Sequence, residues 1–209
     1  MLEVYEILKT VVSLLILLFS VVFHEVAHGF VAYRLGDPTA KYQGRLSLNP
    51  LKHLDPIGSV MLPLFMFLLT RGAGPIFGYA KPVPVNPYNF KDQKWGNLKV
   101  SIAGPATNFL IAITSGLILR FFPFSGAAFD LVSLISIYNF LLGIFNLLPI
   151  PPLDGSHILF SFLPEKEYQI KSMFREYGFL LLMLVILFGL NFVYFLALIM
   201  FRFVAGKSF

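Results

Sequence analysis

The 209-residue chain is 57% hydrophobic and only 13% charged, and soluble domains carry about a quarter charged residues, so a bilayer is its expected surroundings. The formal net charge of +5 reads as loop charge on one membrane face; no basic patch is interleaved with aromatics, and a nucleic-acid partner is set aside. Cysteine is absent, which excludes disulfides, thiolate zinc ligands and a cysteine nucleophile and leaves any metal to His, Asp or Glu.

Judged against about 20 apolar residues per crossing, four segments qualify as spans, at 5–33, 97–121, 131–150 and 177–203. The first nine residues offer Glu3, Glu6 and only Lys9, and the apolar run is longer than a signal core, so a removable signal is not expected. Most polar residues fall in 34–96. Within it Ile57 to Thr70 is apolar but short and interrupted by Pro63, so a re-entrant or interfacial segment is expected over 57–79. Residues 78–90 alternate prolines with β-branched residues, which predicts a short extended stretch. The last segment is either one tilted span, kinked near Gly189 and Asn191, or a hairpin. The fold class is therefore all-α and polytopic, one membrane domain over 1–209 with about 4 to 6 membrane segments and no internal repeat. Arg34, Lys41, Arg45 and Lys52 directly follow the first span, which places 34–55 in the cytoplasm and the N-terminus outside; Lys166, Lys171 and Arg175 put the loop before the last span inside as well.

The second half of the first span contains His24-Glu25-Val26-Ala27-His28, an H-E-x-x-H motif. Residues four apart share a helix face, so both imidazoles can reach one ion, and Glu25 lies beside them within reach of a water at that ion. Neutral imidazoles with an oxygen donor and an open position suit catalytic zinc, and Glu25 would act as base. A plain hydrogen-bonded cluster is the competing reading. The best third ligand is Asp154, after a proline-broken segment, with Gly155 permitting a turn; a helix N-cap is the alternative role, and His157 is the rival ligand.

In this order the chain carries His24-Glu25-Val26-Ala27-His28, then Ala103-Gly104-Pro105-Ala106-Thr107-Asn108, then Asn146 with Leu153-Asp154-Gly155. With these motifs it resembles the site-2 proteases, the intramembrane zinc metalloproteases of peptidase family M50, from about residue 10 to about 163. The resemblance implies one Zn2+ per chain held by His24, His28 and Asp154, with Glu25 as general base and Asn146 polarising the scissile carbonyl or holding the substrate backbone. It points to the compact members without a PDZ or CBS domain, in the plasma membrane of a prokaryote with the site towards the cytoplasm. The implied substrates are transmembrane segments of other proteins within the lipid bilayer. The outcome is release of a signalling fragment or clearance of remnants such as signal peptides.

For Asp154 to reach the depth of the histidines, 57–79 must not complete a crossing. Gly104 is expected to give close helix contact, and Asn108 to serve as an inter-helix amide or a substrate contact. His53 and Asp55 read as a loop-stabilising pair, with a role for His53 near the zinc as the lesser alternative. His157 reads as a neighbour of the site, and Val83 to Val85 either as an edge that receives an unwound substrate or as a rigid connector. The rival function is a membrane metal-binding or transport protein using the same ligands; Glu25 discriminates, since a binding site needs no carboxylate beside its ligand pair.

Overall fold

The computed structural model describes residues 2–70, 81–164 and 168–206. Helix α1 (Leu2–Arg34) runs without a proline, and its apolar residues surround it on all sides, as suits a helix solvated by lipid. A short helix α2 (Thr39–Tyr42) and a 3-10 turn (Pro50–Lys52) follow. A π-helical turn (Pro56–Met61) then leads into α3 (Leu62–Thr70). A second 3-10 turn (Pro87–Asn89) precedes α4 (Gln93–Phe121), whose first turn is capped by Asp92 accepting from the Trp95 N–H at 3.1 Å. After α5 (Gly126–Asn146) come α6 (Asp154–Phe162) and α7 (Tyr168–Leu184), and a π-helical turn (Val185–Gly189) joins α7 to α8 (Leu190–Ala205).

Four helical stretches, 8–34, 95–121, 126–146 and 176–205, are long and apolar enough to cross a membrane, and the described residues contain no strand. The protein is an all-α polytopic membrane protein. Helices α4, α5 and α8 enclose a core of Ala112, Leu119, Ile137, Phe140, Ala197 and Phe201, and α1 packs on α4 and α5. Leu110, Phe188 and Phe203 point outward, which is uncostly only where the surroundings are themselves apolar.

Two boundaries differ from expectation, and the alternatives for the last segment are decided. The third span ends at Asn146 rather than 150, because the prolines at 149, 151 and 152 disfavour helix in the residues before them. The expected extended stretch is interrupted by a 3-10 turn at Pro87–Asn89, with Asn86 and Phe90 extended on either side of it; residues 78–80 lie outside the described residues. The last segment is one continuous helical run, and its π turn ends at Gly189, the expected kink.

The 15 residues of 56–70 rise about 22 Å, less than the roughly 30 Å of a hydrocarbon core. Whatever path 71–79 take, which lie outside the described residues, the Lys81 N–H donates to the His53 carbonyl at 2.9 Å. Arg45 donates to the carbonyls of both Lys52 and Lys81. The chain therefore returns to the place it left.

Candidate metal centre

His24 and His28 lie one turn apart on α1, and both Nε2 atoms face Asp154, the first residue of α6. Asp154 Oδ2 is 3.1 Å from His24 Nε2 and 3.2 Å from His28 Nε2, and the two nitrogens are 3.0 Å apart. Each ring is fixed from behind. His24 Nδ1 donates to Asn108 Oδ1 at 2.6 Å, and His28 Nδ1 donates to the Val100 carbonyl at 2.7 Å. With both protons on Nδ1, the Nε2 atoms and the carboxylate present only lone pairs to one another. Asp154 Oδ2 is buried without a hydrogen-bond donor.

Three buried lone-pair atoms at van der Waals contact repel unless a cation lies among them. A tetrahedral zinc with bonds of about 2.0–2.1 Å separates its donors by about 3.3 Å, close to the spacing observed. The residues fit a metal. Asp154 is not the cap of α6: its carboxylate turns to the histidines, and Leu153 occupies the cap position with no side-chain bond. Gly155 serves by close approach, since a Cβ there would lie 2.2 Å from the Leu147 carbonyl oxygen. Gly104 abuts the imidazoles themselves, and a Cβ on it would lie 2.4 Å from His28 Nε2 and 2.6 Å from His24 Nε2. The close contact expected at Gly104 is thus to the metal-facing side of two rings.

Glu25 lies on the adjoining side, and its Oε2 accepts the Val83 N–H at 2.7 Å. This bond ties the expected base to the 81–86 segment, which is held at two further points. Buried Arg45 donates to the Lys81 carbonyl at 2.6 Å and the Pro82 carbonyl at 3.2 Å. Buried Asp37 accepts the Asn86 N–H and the Asn89 side-chain N–H, both at 2.7 Å, together with Thr39. Burial pushes the Asp37 carboxyl up, but the bonds from Thr39, Asn86 and Asn89 outweigh it and hold it below its ordinary value. Val83 is buried and its N–H is taken, whereas no described residue bonds the Val85 N–H.

A cavity of about 830 Å³ opens over the centre, lined by His24, Glu25, His28, Asn146 and Asp154 and by Val83 and Val85. Asn146 uses one N–H on the Leu142 carbonyl of its own helix at 3.0 Å. His157 lines the cavity but lies outside the three-donor cluster. Asn108 is fully buried behind His24 and supports that ring rather than reaching the cavity. His53 is also fully buried away from the cavity, with Nε2 donating to the Ser47 carbonyl at 2.7 Å. Asp55 accepts from the Gly58 N–H instead of pairing with His53. Sequence reasoning missed Ser20, Asn139, Asp37 and Arg45. Asn139 carried a usable signal, a polar residue inside an apolar span; the partners that Asp37 and Arg45 find in 81–89 lie 36 to 52 residues away and carried none.

Residues 124–190 match the profile of Peptidase family M50. YwhC of Bacillus subtilis (strain 168), provisionally named a zinc metalloprotease, is 40% identical over 178 residues, covering 81% of this chain and 77% of its own. Zinc metalloprotease MJ0392 of Methanocaldococcus jannaschii is 32% identical over 180 residues, of which this chain spans 42% of the relative's length. Rip2 of Mycolicibacterium smegmatis, also provisionally named a zinc metalloprotease, is 29% identical over 172 residues and 64% of its length is spanned. No solved structure matches the chain.

Proposed function

This chain belongs to peptidase family M50 and is a membrane-embedded zinc metalloprotease, and on that premise we propose that it hydrolyses peptide bonds in or near transmembrane segments of other membrane proteins. The observation that carries this reading is the triangle of unprotonated donors that two histidines of an apolar span form with Asp154, opening on a cavity that also holds Glu25. A centre at that depth serves a substrate that is itself in the membrane.

His24, His28 and Asp154 would hold the zinc. When bound, the ion acidifies water and polarises a carbonyl. Glu25 takes a proton from the attacking water as its oxygen adds to the peptide carbonyl carbon, and returns it to the nitrogen as the C–N bond breaks. The second N–H of the Asn146 amide donates to the carbonyl oxygen as charge develops there. Gln93, Asn97 and Ser101 give the cavity wall the polarity that admits water. A helical peptide bond is shielded, so the substrate must unwind, and the extended 83–85 segment receives it as an added strand through the unbonded Val85 N–H. The prolines at 82 and 84 lie on the other edge of that strand, where their missing N–H costs nothing.

The basic residues after α1 support a site that faces the cytoplasm, on this reading in a prokaryotic plasma membrane. The products are a released fragment or cleared membrane remnants. The expected re-entrant or interfacial segment over 57–79 is supported by its described flanks, since the Lys81 N–H donates to the His53 carbonyl. The test is Glu25→Gln assayed on a single-span substrate with bound metal quantified. Activity falls by about 10² to 10⁴ with zinc retained. Undiminished cleavage would remove Glu25 as base. Zinc binding without cleavage of any membrane segment, by the unsubstituted protein, would favour a metal-binding or transport protein.

A further inference from the structure

Behind His24 lies a chain of buried amides whose direction is fixed by groups that can only accept. Asn139 Nδ2 donates to the Ile135 carbonyl at 2.9 Å and to Ser20 Oγ at 2.8 Å. Ser20 Oγ spends its own hydrogen on the Ile16 carbonyl at 2.8 Å, so towards Asn139 it can only accept. Both Asn139 N–H groups are thereby committed, and its Oδ1 is turned to accept from Asn108 Nδ2 at 2.8 Å. The other Asn108 N–H goes to the Ser20 carbonyl at 3.3 Å, which leaves Asn108 Oδ1 facing His24 Nδ1. Backbone carbonyls cannot reverse their role, so the polarity runs one way through three helices and ends with the His24 proton on Nδ1 and its lone pair on Nε2.

We propose that Asn139, acting through Asn108, is a positioning residue that sets the tautomer of His24 and so makes its Nε2 a metal ligand. The proposal rests on the zinc reading of the centre. Were the Asn108 amide turned over, its N–H would face Nδ1 and demand a lone pair there, driving the imidazole proton onto Nε2 and removing a donor. Asn139 and the Ser20 carbonyl are what prevent that turn. His28 supplies an internal comparison, because its Nδ1 donates to the Val100 carbonyl and owes nothing to the amide chain.

The experiment labels the imidazole nitrogens, and the chain has only four histidines to resolve. The ¹⁵N spectrum of the metal-free full chain in a bilayer reads each tautomer, and zinc affinity is titrated separately. Wild type is expected to hold both His24 and His28 as Nδ1–H. Asn139→Ala should shift His24 towards Nε2–H, leave His28 unchanged and weaken zinc binding about 10- to 100-fold, the range for partners of ligating histidines. Asn139→Asp keeps an acceptor for Asn108 and should restore the His24 tautomer; Ser20→Ala, which removes only one anchor, should fall between wild type and Asn139→Ala. An unchanged His24 tautomer and zinc affinity in Asn139→Ala overturns the proposal. So does an equal change at His24 and His28, which would mark general loosening. Should Asn139→Ala not fold, loss of the His24 Nδ1–H state in Asn139→Asp overturns it as well. Wild type with the expected tautomers but no affinity for zinc would leave the relay standing and sink the metal reading instead.

Discussion

Replacing Gly104 by alanine sets a methyl carbon 2.4 Å from His28 Nε2 and 2.6 Å from His24 Nε2. Non-bonded carbon atoms rest at roughly 3.5–4.0 Å, so the two rings must swing aside, and α4 cannot retreat without opening the packing of α1 against it. Swinging both rings breaks their bonds to Asn108 and to the Val100 carbonyl, worth about 1 kcal/mol each. Alanine regains about 1 kcal/mol over glycine in a helix interior. The net cost is about 1 kcal/mol, small enough that the metal-free variant stays folded, with a thermal midpoint about 2–4 °C lower. Metal binding has no such offset: the methyl occupies the face on which both nitrogens present their lone pairs. Zinc affinity should fall by more than about the hundredfold typical of losing a partner behind a ligand. The assay is zinc content after dialysis, with thermal unfolding of the metal-free protein and cleavage of a single-span substrate alongside. Gly143→Ala, whose Cβ first meets the Phe109 ring at 3.0 Å, is the comparison and should keep its zinc. A Gly104→Ala protein with one tightly held zinc and normal cleavage would refute the placement of the ion between these rings.

Asp37→Ala strands the Asn86 and Asn89 donors and should cost roughly 3 kcal/mol, with slower cleavage and undiminished zinc. Because the folded Asp37 carboxyl is held below its ordinary 3.8, its contribution is complete above that value and is lost as pH falls through the lower folded value. Asp37→Asn should therefore flatten the acid end of the plot of thermal midpoint against pH. Val85→Pro deletes the unbonded N–H at the cavity edge and should slow cleavage while zinc is retained; unchanged cleavage would remove the added-strand reading.

Much of this protein follows from order along the chain. Apolar run length gives four spans, because a lipid-solvated helix must be apolar over some twenty residues whatever it packs against. The His24–His28 pair is equally local, since helical periodicity alone brings residues four apart to one face. The proline cluster after Asn146 announces broken helix, although its effect reaches back further than the run length implied. Beyond the approach of Asp154 to the two histidines, the bonds between elements lay outside the sequence. Gly104 could be taken for a packing glycine, and only the crossing of α4 over α1 places it against two imidazoles. Asn108 stood equally as substrate contact or support, and burial behind His24 decides for support. His53 and Asp55, neighbours in sequence, turn to different partners. Asn139, Arg45 and Asp37 owe their roles to groups 31 to 119 residues distant. A hydrogen bond acts over about 3 Å and depends on direction, so its partner is set by how helices cross, which residue spacing along one chain does not encode.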